Sequence, residues 1–257
     1  KILNHQNIQS ILTKNKETDT LNYWFKEFEY DSLNFELSTT NYKKNYTLKF
    51  KEYDKDSLII TSSIKSTLEL NEGFKVISNR PLINVDPEKI KVFNKDSVSI
   101  PFDTYIDDNQ FDVSLNFEVL PNDNYIVNIM PNAITDFFES TNDSLSYSFK
   151  TKSRADYGTL KLSFRNIQEF PVIVHLMNNK EDIIREIILG SYEDPCLFEN
   201  LKPGNYFVRV LFDTNKNGVW DTGNFLKKIQ PEKTFHYSEE IVIRKNWVLE
   251  EKIDLTF

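Results

Sequence analysis

One stretch of the chain, DTNKNGVWD at residues 213–221, combines residue types and a spacing that suit a metal ion. Calcium takes hard oxygen ligands from alternating positions of a loop, with a glycine where the loop reverses sharply. Gly218 stands at that reversal, so we expect a left-handed backbone there. The residues that would hold Ca²⁺ are Asp213, Asn215, Asn217, Val219 through its backbone carbonyl, and Asp221.

Two features separate this stretch from a helix-flanked calcium loop. The twelfth position, which carries a bidentate glutamate in such a loop, is Asn224 here, and a predicted strand precedes Asp213. Two carboxylates predict weak binding, of the millimolar class found in extracellular modules. The alternative is a turn whose Asn and Asp side chains bond to their own backbone without an ion. In both interpretations the loop is structural, and Ca²⁺ is the only cofactor considered.

The other residues that could do chemistry form no catalytic pattern. His5, His175 and His236 are far apart, and His175 lies in the apolar run VIVHLM, which favours a satisfied histidine on a sheet over a ligand. The single cysteine, Cys196, excludes an internal disulfide and is predicted to be a small buried residue. No nucleophile-elbow motif or glycine-rich phosphate loop is present. We therefore predict no catalytic residues and expect that the protein is not an enzyme.

Charge argues against one class of partner. The 257 residues carry a formal net charge of −8, with lysines scattered among acidic residues. A nucleic-acid partner is not expected, because no basic stripe is available to release counterions from phosphates. No run of residues approaches the roughly 18 apolar residues of a membrane-spanning helix.

The secondary structure that must position these residues is predicted to consist of short strands. Aromatic residues make up 14 % of the chain, and glycine contributes only 6 residues. Alternating apolar and polar runs, separated by turn residues, predict an all-β protein of tandem β-sandwiches. Residues 1–56 are predicted to be the C-terminal part of a preceding domain, residues 57–153 an Ig-like sandwich, and residues 154–257 a second sandwich.

Three segments are less regular. Residues 4–16 fit either a short helix or coil, and AITDFF at residues 133–138 is predicted to form one helical turn. FLKKIQPEK at residues 225–233 is predicted to be strand-like.

The segment 198–250 resembles the C-terminal end of a Bacteroidota-type family of Ig-like-domain surface lipoproteins. The motifs that carry this resemblance are LKPGNY, DTNKNGVWDTGN, IQPE and IRKNW. Upstream, DTLNYWF at residues 19–25 and RPLINVDPEKIKVFNKDSVSIPF at residues 80–102 resemble internal modules of the same family, which are related to bacterial SbsA-type Ig-like domains.

The resemblance implies a function and a location. Residues 1–56 would belong to an Ig-like domain, and residues 154–257 would be a prealbumin-like (carboxypeptidase-regulatory-like) sandwich containing an F-x-N-L-x-P-G-x-Y hairpin. The precursor would carry a lipoprotein signal and further Ig-like domains before Lys1, so membrane attachment would use a lipid anchor outside this sequence. The protein is expected at the outer membrane or cell surface, as a structural or interaction subunit of an outer-membrane protein complex.

The alternative function is a carbohydrate-binding surface module. It would use exposed aromatic residues to stack on sugars, which requires Tyr23, Trp24, Trp220 or Trp247 to be exposed on one flat face.

Overall fold

The chain is all-β in the part that its structure, a computed structural model, describes: residues 2–4, 8–15, 18–26, 32–49, 57–192 and 194–256. Within these ranges there are two 3-10 helices, Pro87–Lys89 and Arg154–Asp156, and no α-helix. No helix in the described ranges has the length and apolarity needed to cross a membrane. The chain divides into two compact units, Lys1–Thr151 and Lys152–Phe257.

The first unit begins with two β-hairpins. Strand β1 (Ser10–Asn15) pairs with β2 (Thr20–Phe25), and β3 (Ser32–Thr39) pairs with β4 (Tyr42–Lys49). The expectation of a helix or coil over residues 4–16 was wrong for β1, because its residues pair in register with the aromatic strand β2. The division of the chain into domains at residues 1–56, 57–153 and 154–257 stays a prediction.

The rest of the first unit is a sandwich of short strands. They are β5 (Ile60–Ser62), β6 (Thr67–Leu68), β7 (Phe74–Ser78), β8 (Leu82–Val85), β9 (Ile90–Phe93), β10 (Ser99–Ile100), β11 (Asp103–Ile106), β12 (Asp112–Asn116), β13 (Asn124–Ile129), β14 (Ile134–Asp136) and β15 (Leu145–Thr151). One sheet has the order β10-β9-β13-β15-β6, the other has the order β11-β12-β7-β5, and β14 pairs with β8. Only the β15–β6 pair among them is parallel.

The core of the first unit follows from strand alternation. In β13, Tyr125, Val127 and Ile129 are buried on one face, as the two-residue period of a strand requires. The ring of Phe149 stacks on Tyr125 and on Phe74, with centroids 5.7 and 4.8 Å apart. These three rings come from both sheets, so aromatic contacts join the two layers.

The helical turn predicted for AITDFF was wrong. Ile134–Asp136 forms β14 instead, and the buried side chain of Asn142 holds its start. Asn142 Oδ1 accepts hydrogen bonds from the backbone N–H groups of Ala133 (2.9 Å) and Ile134 (2.7 Å), while its Nδ2 donates to the carbonyl of Met130 (2.8 Å). A side chain eight to nine residues further along the chain therefore overrides the local preference of this segment.

The second unit is also a two-sheet sandwich. Its strands are β16 (Gly158–Arg165), β17 (Val172–Met177), β18 (Ile183–Leu189), β19 (Cys196–Leu201), β20 (Gly204–Phe212), β21 (Thr234–His236), β22 (Ile241–Ile243) and β23 (Val248–Asp254). One sheet has the order β19-β16-β23, with β16 and β23 parallel. The other has the order β18-β17-β20-β21, and β22 also pairs with β20. The predicted fold class, all-β with tandem β-sandwiches, is confirmed.

The LKPGNY turn does not form the hairpin that the family resemblance implied. It connects β19 to β20, which lie in different sheets. The buried Tyr206 stabilises this crossing, because its hydroxyl donates to the carbonyl of Lys202 at 2.8 Å, as in a tyrosine corner. The Pro-Gly turn thus moves the chain from one layer of the sandwich to the other.

We predict that Asn142→Ala destabilises the first unit by about 3 kcal/mol, because it leaves two buried backbone N–H groups, those of Ala133 and Ile134, without this acceptor. Chemical denaturation measures the change. Asn128→Ala is the matched control, because Asn128 Oδ1 accepts a solvent-exposed hydrogen bond from the hydroxyl of Ser146. This substitution should change the free energy of unfolding by less than about 0.5 kcal/mol. Equal effects of the two substitutions would contradict the role given to Asn142.

Candidate functional site

The DTNKNGVWD stretch lies in the long connection between β20 and β21. Asp213 follows the last residue of β20 directly and is only 2 % exposed. Its carboxylate accepts hydrogen bonds from the backbone N–H groups of Asn217 (3.1 Å) and Gly218 (2.8 Å). The predicted left-handed conformation of Gly218 is confirmed, with φ of 79°. The buried carboxylate therefore folds the loop back on itself at this glycine.

The two asparagines and the second aspartate of the stretch bond to one another. Asn215 Oδ1 accepts from the N–H of Asn217 (3.0 Å), and Asn217 Oδ1 accepts from the N–H of Val219 (2.9 Å). The amide nitrogens of Asn215 and Asn217 both donate to Asp221 Oδ2, the second at 2.7 Å. These are the Asx turns of the metal-free alternative, and they gather the predicted ligands into one network.

Glu232, which the sequence analysis did not single out, closes the loop from the far side. Its carboxylate accepts from the backbone N–H groups of Thr214 (2.7 Å), Asn215 (3.3 Å) and Asp221 (3.0 Å). The backbone N–H of Glu232 donates to the carbonyl of Asp221, and the indole N–H of Trp220 donates to the carbonyl of Glu232, so the same two segments are joined twice more. Glu232 is therefore a clamp on backbone donors.

Asn224, at the twelfth position, takes no part in this network. It forms an isolated antiparallel bridge with Ile229, and the two residues exchange backbone hydrogen bonds of 2.9 and 3.0 Å. The strand-like conformation predicted for FLKKIQPEK was wrong, because 225–228 form the turn of this small hairpin and 230–233 lie outside any strand. Only Ile229 pairs, in the isolated bridge.

The donor set fits calcium in chemical type, since every predicted ligand offers an oxygen. In the described residues, no three His, Cys, Asp or Glu side chains lie close enough to hold a metal. An ion bound by Asp213 and Asp221 would therefore depend on Asn215, Asn217 and the carbonyl of Val219 as well. Calcium binding stays a prediction, because the same groups are also satisfied by each other.

The remaining candidates have structural surroundings. Cys196 is buried in the core of the second unit, as predicted, and burial raises the pKa of its thiol to about 12, so it stays protonated. His175 is 5 % exposed and lies between Glu186 and Arg209. His5 lies outside the described residues.

The partners of His175 fix its hydrogen positions. Arg209 Nη2 is 3.0 Å from His175 Nδ1, and a guanidinium can only donate, so Nδ1 is the acceptor. The hydrogen of the neutral ring is therefore on Nε2, which donates to Glu186 Oε2 at 2.8 Å. This cross-strand row of β18, β17 and β20 confirms the prediction of a satisfied histidine on the sheet.

The aromatic residues proposed for sugar stacking do not form one platform. Tyr23 and Trp24 are consecutive in β2, so their side chains point to opposite faces. Trp24 packs against Phe111 and Phe138, with centroids 5.9 and 6.4 Å apart. In the second unit, Trp220 and Trp247 are 41 % and 60 % exposed, so the four residues are not all buried. No observation favours carbohydrate binding.

Comparisons with known proteins add little to this description. No protein-family model and no curated protein matches the chain. Native α2-macroglobulin from Escherichia coli, spanning domains MG0-NIE-MG1, matches at 12 % identity and a TM-score of 0.35, covering 69 % of this chain and 71 % of that one.

Two other solved structures are similar at the same level. The N-terminal part of the bacterial S-layer protein SbsC has 10 % identity and a TM-score of 0.33, covering 62 % of this chain and 41 % of that one. BcpA, the major pilin subunit of Bacillus cereus, has 10 % identity and a TM-score of 0.26, covering 92 % and 79 %. Likeness this weak has no bearing on function.

We predict that Glu232→Ala destabilises the second unit by about 1–3 kcal/mol, because three backbone donors lose a charged acceptor. Hydrogen exchange should accelerate at the amides of Thr214 and Asp221. Glu240→Ala, at an exposed glutamate eight residues further along the chain, is the control and should change neither quantity. Unchanged exchange at both amides in Glu232→Ala would contradict the clamp.

We predict that calcium raises the melting temperature of the second unit relative to chelator. Calcium at ten times its Kd stabilises the folded state by about 1.4 kcal/mol, which corresponds to several degrees for a unit of this size. Asn215→Ala should abolish the difference, and magnesium should not reproduce it. A melting temperature that is the same in calcium and in chelator would contradict calcium binding by this loop.

Proposed function

We propose that the protein is a non-enzymatic surface lipoprotein that acts as a structural or interaction subunit of an outer-membrane protein complex. The family resemblance of residues 198–250 supports the lipid anchor and the location. The observation that carries the interaction role is the free edge of strand β4. Among the described residues, β4 pairs only with β3.

The exposure of β4 is complete. All eight of its residues are exposed, including Tyr42, Tyr46 and Leu48, which are 46 %, 37 % and 45 % exposed. A free edge presents unpaired backbone donors and acceptors, to which a partner can add a strand. The aromatic and aliphatic side chains along it would supply the contacts that select the partner.

Charge on the edge limits indiscriminate pairing. Lys43, Lys44 and Lys49 lie on β4, and Lys43 forms an ion pair of 2.7 Å with Glu36 on β3. Lysines on edge strands oppose aggregation between identical edges. The strand is therefore suited to a partner whose own edge carries complementary acidic residues.

The register of the hairpin shows which backbone groups are free. The closing pair Thr39 and Tyr42 flanks a two-residue turn, so this pair exchanges hydrogen bonds and the pattern alternates from there. Asn45, opposite Glu36, falls at a position whose N–H and C=O point away from β3. Proline at this position removes an outward donor and leaves the β3–β4 ladder intact.

The test is isolation of the tagged full-length protein from its native membranes in mild detergent, with identification of its companions. We predict co-isolation of outer-membrane proteins with the wild type and with Asn45→Thr, and reduced recovery with Asn45→Pro. Recovery of the wild type as a lone monomer would count against the proposed function. Equal recovery with Asn45→Pro would place the interface away from β4.

A further inference from the structure

The most exposed large apolar side chains in the described part of the chain lie at the tip of the small hairpin 224–229. Phe225 and Leu226 are 94 % and 92 % exposed, so nearly the whole of each side chain faces solvent. No other large hydrophobic residue in the described ranges is more than 61 % exposed. We call residues 224–229 the apolar tip.

The apolar tip has a defined conformation. Asn224 and Ile229 exchange two backbone hydrogen bonds, and Lys228 N–H donates to the carbonyl of Phe225 at 3.2 Å. Asn224 Oδ1 also accepts from the N–H of Lys227 at 3.0 Å, and Lys228 has the left-handed φ of 52°. This is a four-residue hairpin turn, so the exposure of Phe225 and Leu226 belongs to an ordered turn.

The base of the apolar tip is also fixed. A Cβ on Gly223 would lie 2.9 Å from the carbonyl oxygen of Ile229, so only glycine permits the chain to pass so closely here. Beyond it, the Glu232 carboxylate joins the two arms of the connection through Thr214 and Asp221. The tip therefore projects from a braced base.

The charge at the apolar tip is opposite to that of the whole chain. Residues 222–231 contain Lys227 and Lys228 and no acidic residue, whereas the chain carries a net charge of −8. Among the described residues, neither lysine forms an ion pair. Two apolar side chains are thus followed directly by two unpaired cations.

We propose that the apolar tip inserts into an anionic phospholipid surface, with Phe225 and Leu226 entering the boundary between headgroups and acyl chains. Lys227 and Lys228 would contact the lipid phosphates, with their methylene stems along the apolar region. A convex tip of two apolar residues with adjacent cations matches the chemistry of such a surface, in which apolar burial and attraction to anionic headgroups add. The proposal goes beyond the proposed function and does not depend on a lipid anchor.

The test is flotation of the recombinant chain, made without lipid modification, with vesicles of phosphatidylcholine and phosphatidylglycerol in equal parts. We expect binding by the wild type that weakens with salt, because exposed charges are screened. Phe225→Ser/Leu226→Ser should lower the partition coefficient by at least about tenfold, from the apolar burial lost. The control Ile59→Ser/Val98→Ser changes two residues that are 54 % and 56 % exposed, and should bind as the wild type does.

Two further measurements separate the contribution of the lysines to membrane binding from that of the apolar side chains. Lys227→Gln/Lys228→Gln should lose about tenfold on the anionic vesicles and nothing on pure phosphatidylcholine. Phe225→Trp should show fluorescence quenching by brominated lipid above that of the wild type. Unchanged thermal melts would show that each variant is folded.

Three results would overturn the proposal. They are no binding of the wild type to anionic vesicles, equal binding by Phe225→Ser/Leu226→Ser, and no additional quenching in Phe225→Trp. Loss of self-association in Phe225→Ser/Leu226→Ser, measured by analytical ultracentrifugation without lipid, would instead assign the tip to contact with a second copy of the chain.

Discussion

The turns of this protein are held by side-chain oxygens, and its sheets depend on them. Twelve non-glycine residues in the described ranges have positive φ, against Gly218 alone among the glycines. With only 6 glycines in 257 residues, other residues must supply the left-handed backbone, and six of these twelve are Asn or Asp, whose side chains can also accept from turn N–H groups. A buried N–H without a partner costs about as much as a lost hydrogen bond, so each such side chain fixes the strand beside it.

Two turns show how this constraint reaches the layers of the sandwich. In the first unit, Asn142 binds the start of β14 and so sets where the chain rejoins β8. In the second unit, Asp213 and Glu232 hold opposite sides of the connection from β20 to β21. In both turns the accepting oxygen comes from a residue four or more positions away from the N–H groups that it holds.

Local patterns in the sequence predicted the strands well, because a half-buried strand must alternate apolar and polar residues. They also predicted the buried Cys196 and the left-handed Gly218. Long-range contacts were missed. Glu232 lies 18 residues from Thr214, and no short motif marks it as the clamp. The apolar residues of FLKK were taken for a strand, since burial cannot be told from exposure in so short a run.

The clamp also bears on the ion that the loop was predicted to bind. Backbone N–H groups of the loop have acceptors without an ion. The N–H of Gly218 donates to Asp213, and the N–H of Asp221 donates to Glu232. An ion bound through Asp221 Oδ2 would replace the amide nitrogens of Asn215 and Asn217 as the partners of that oxygen. The stabilisation from such an ion would be the difference between its coordination and the two hydrogen bonds that it displaces, in line with the weak binding that two carboxylates predict. The orientation of the apolar tip therefore rests on Glu232 whether or not the loop binds an ion.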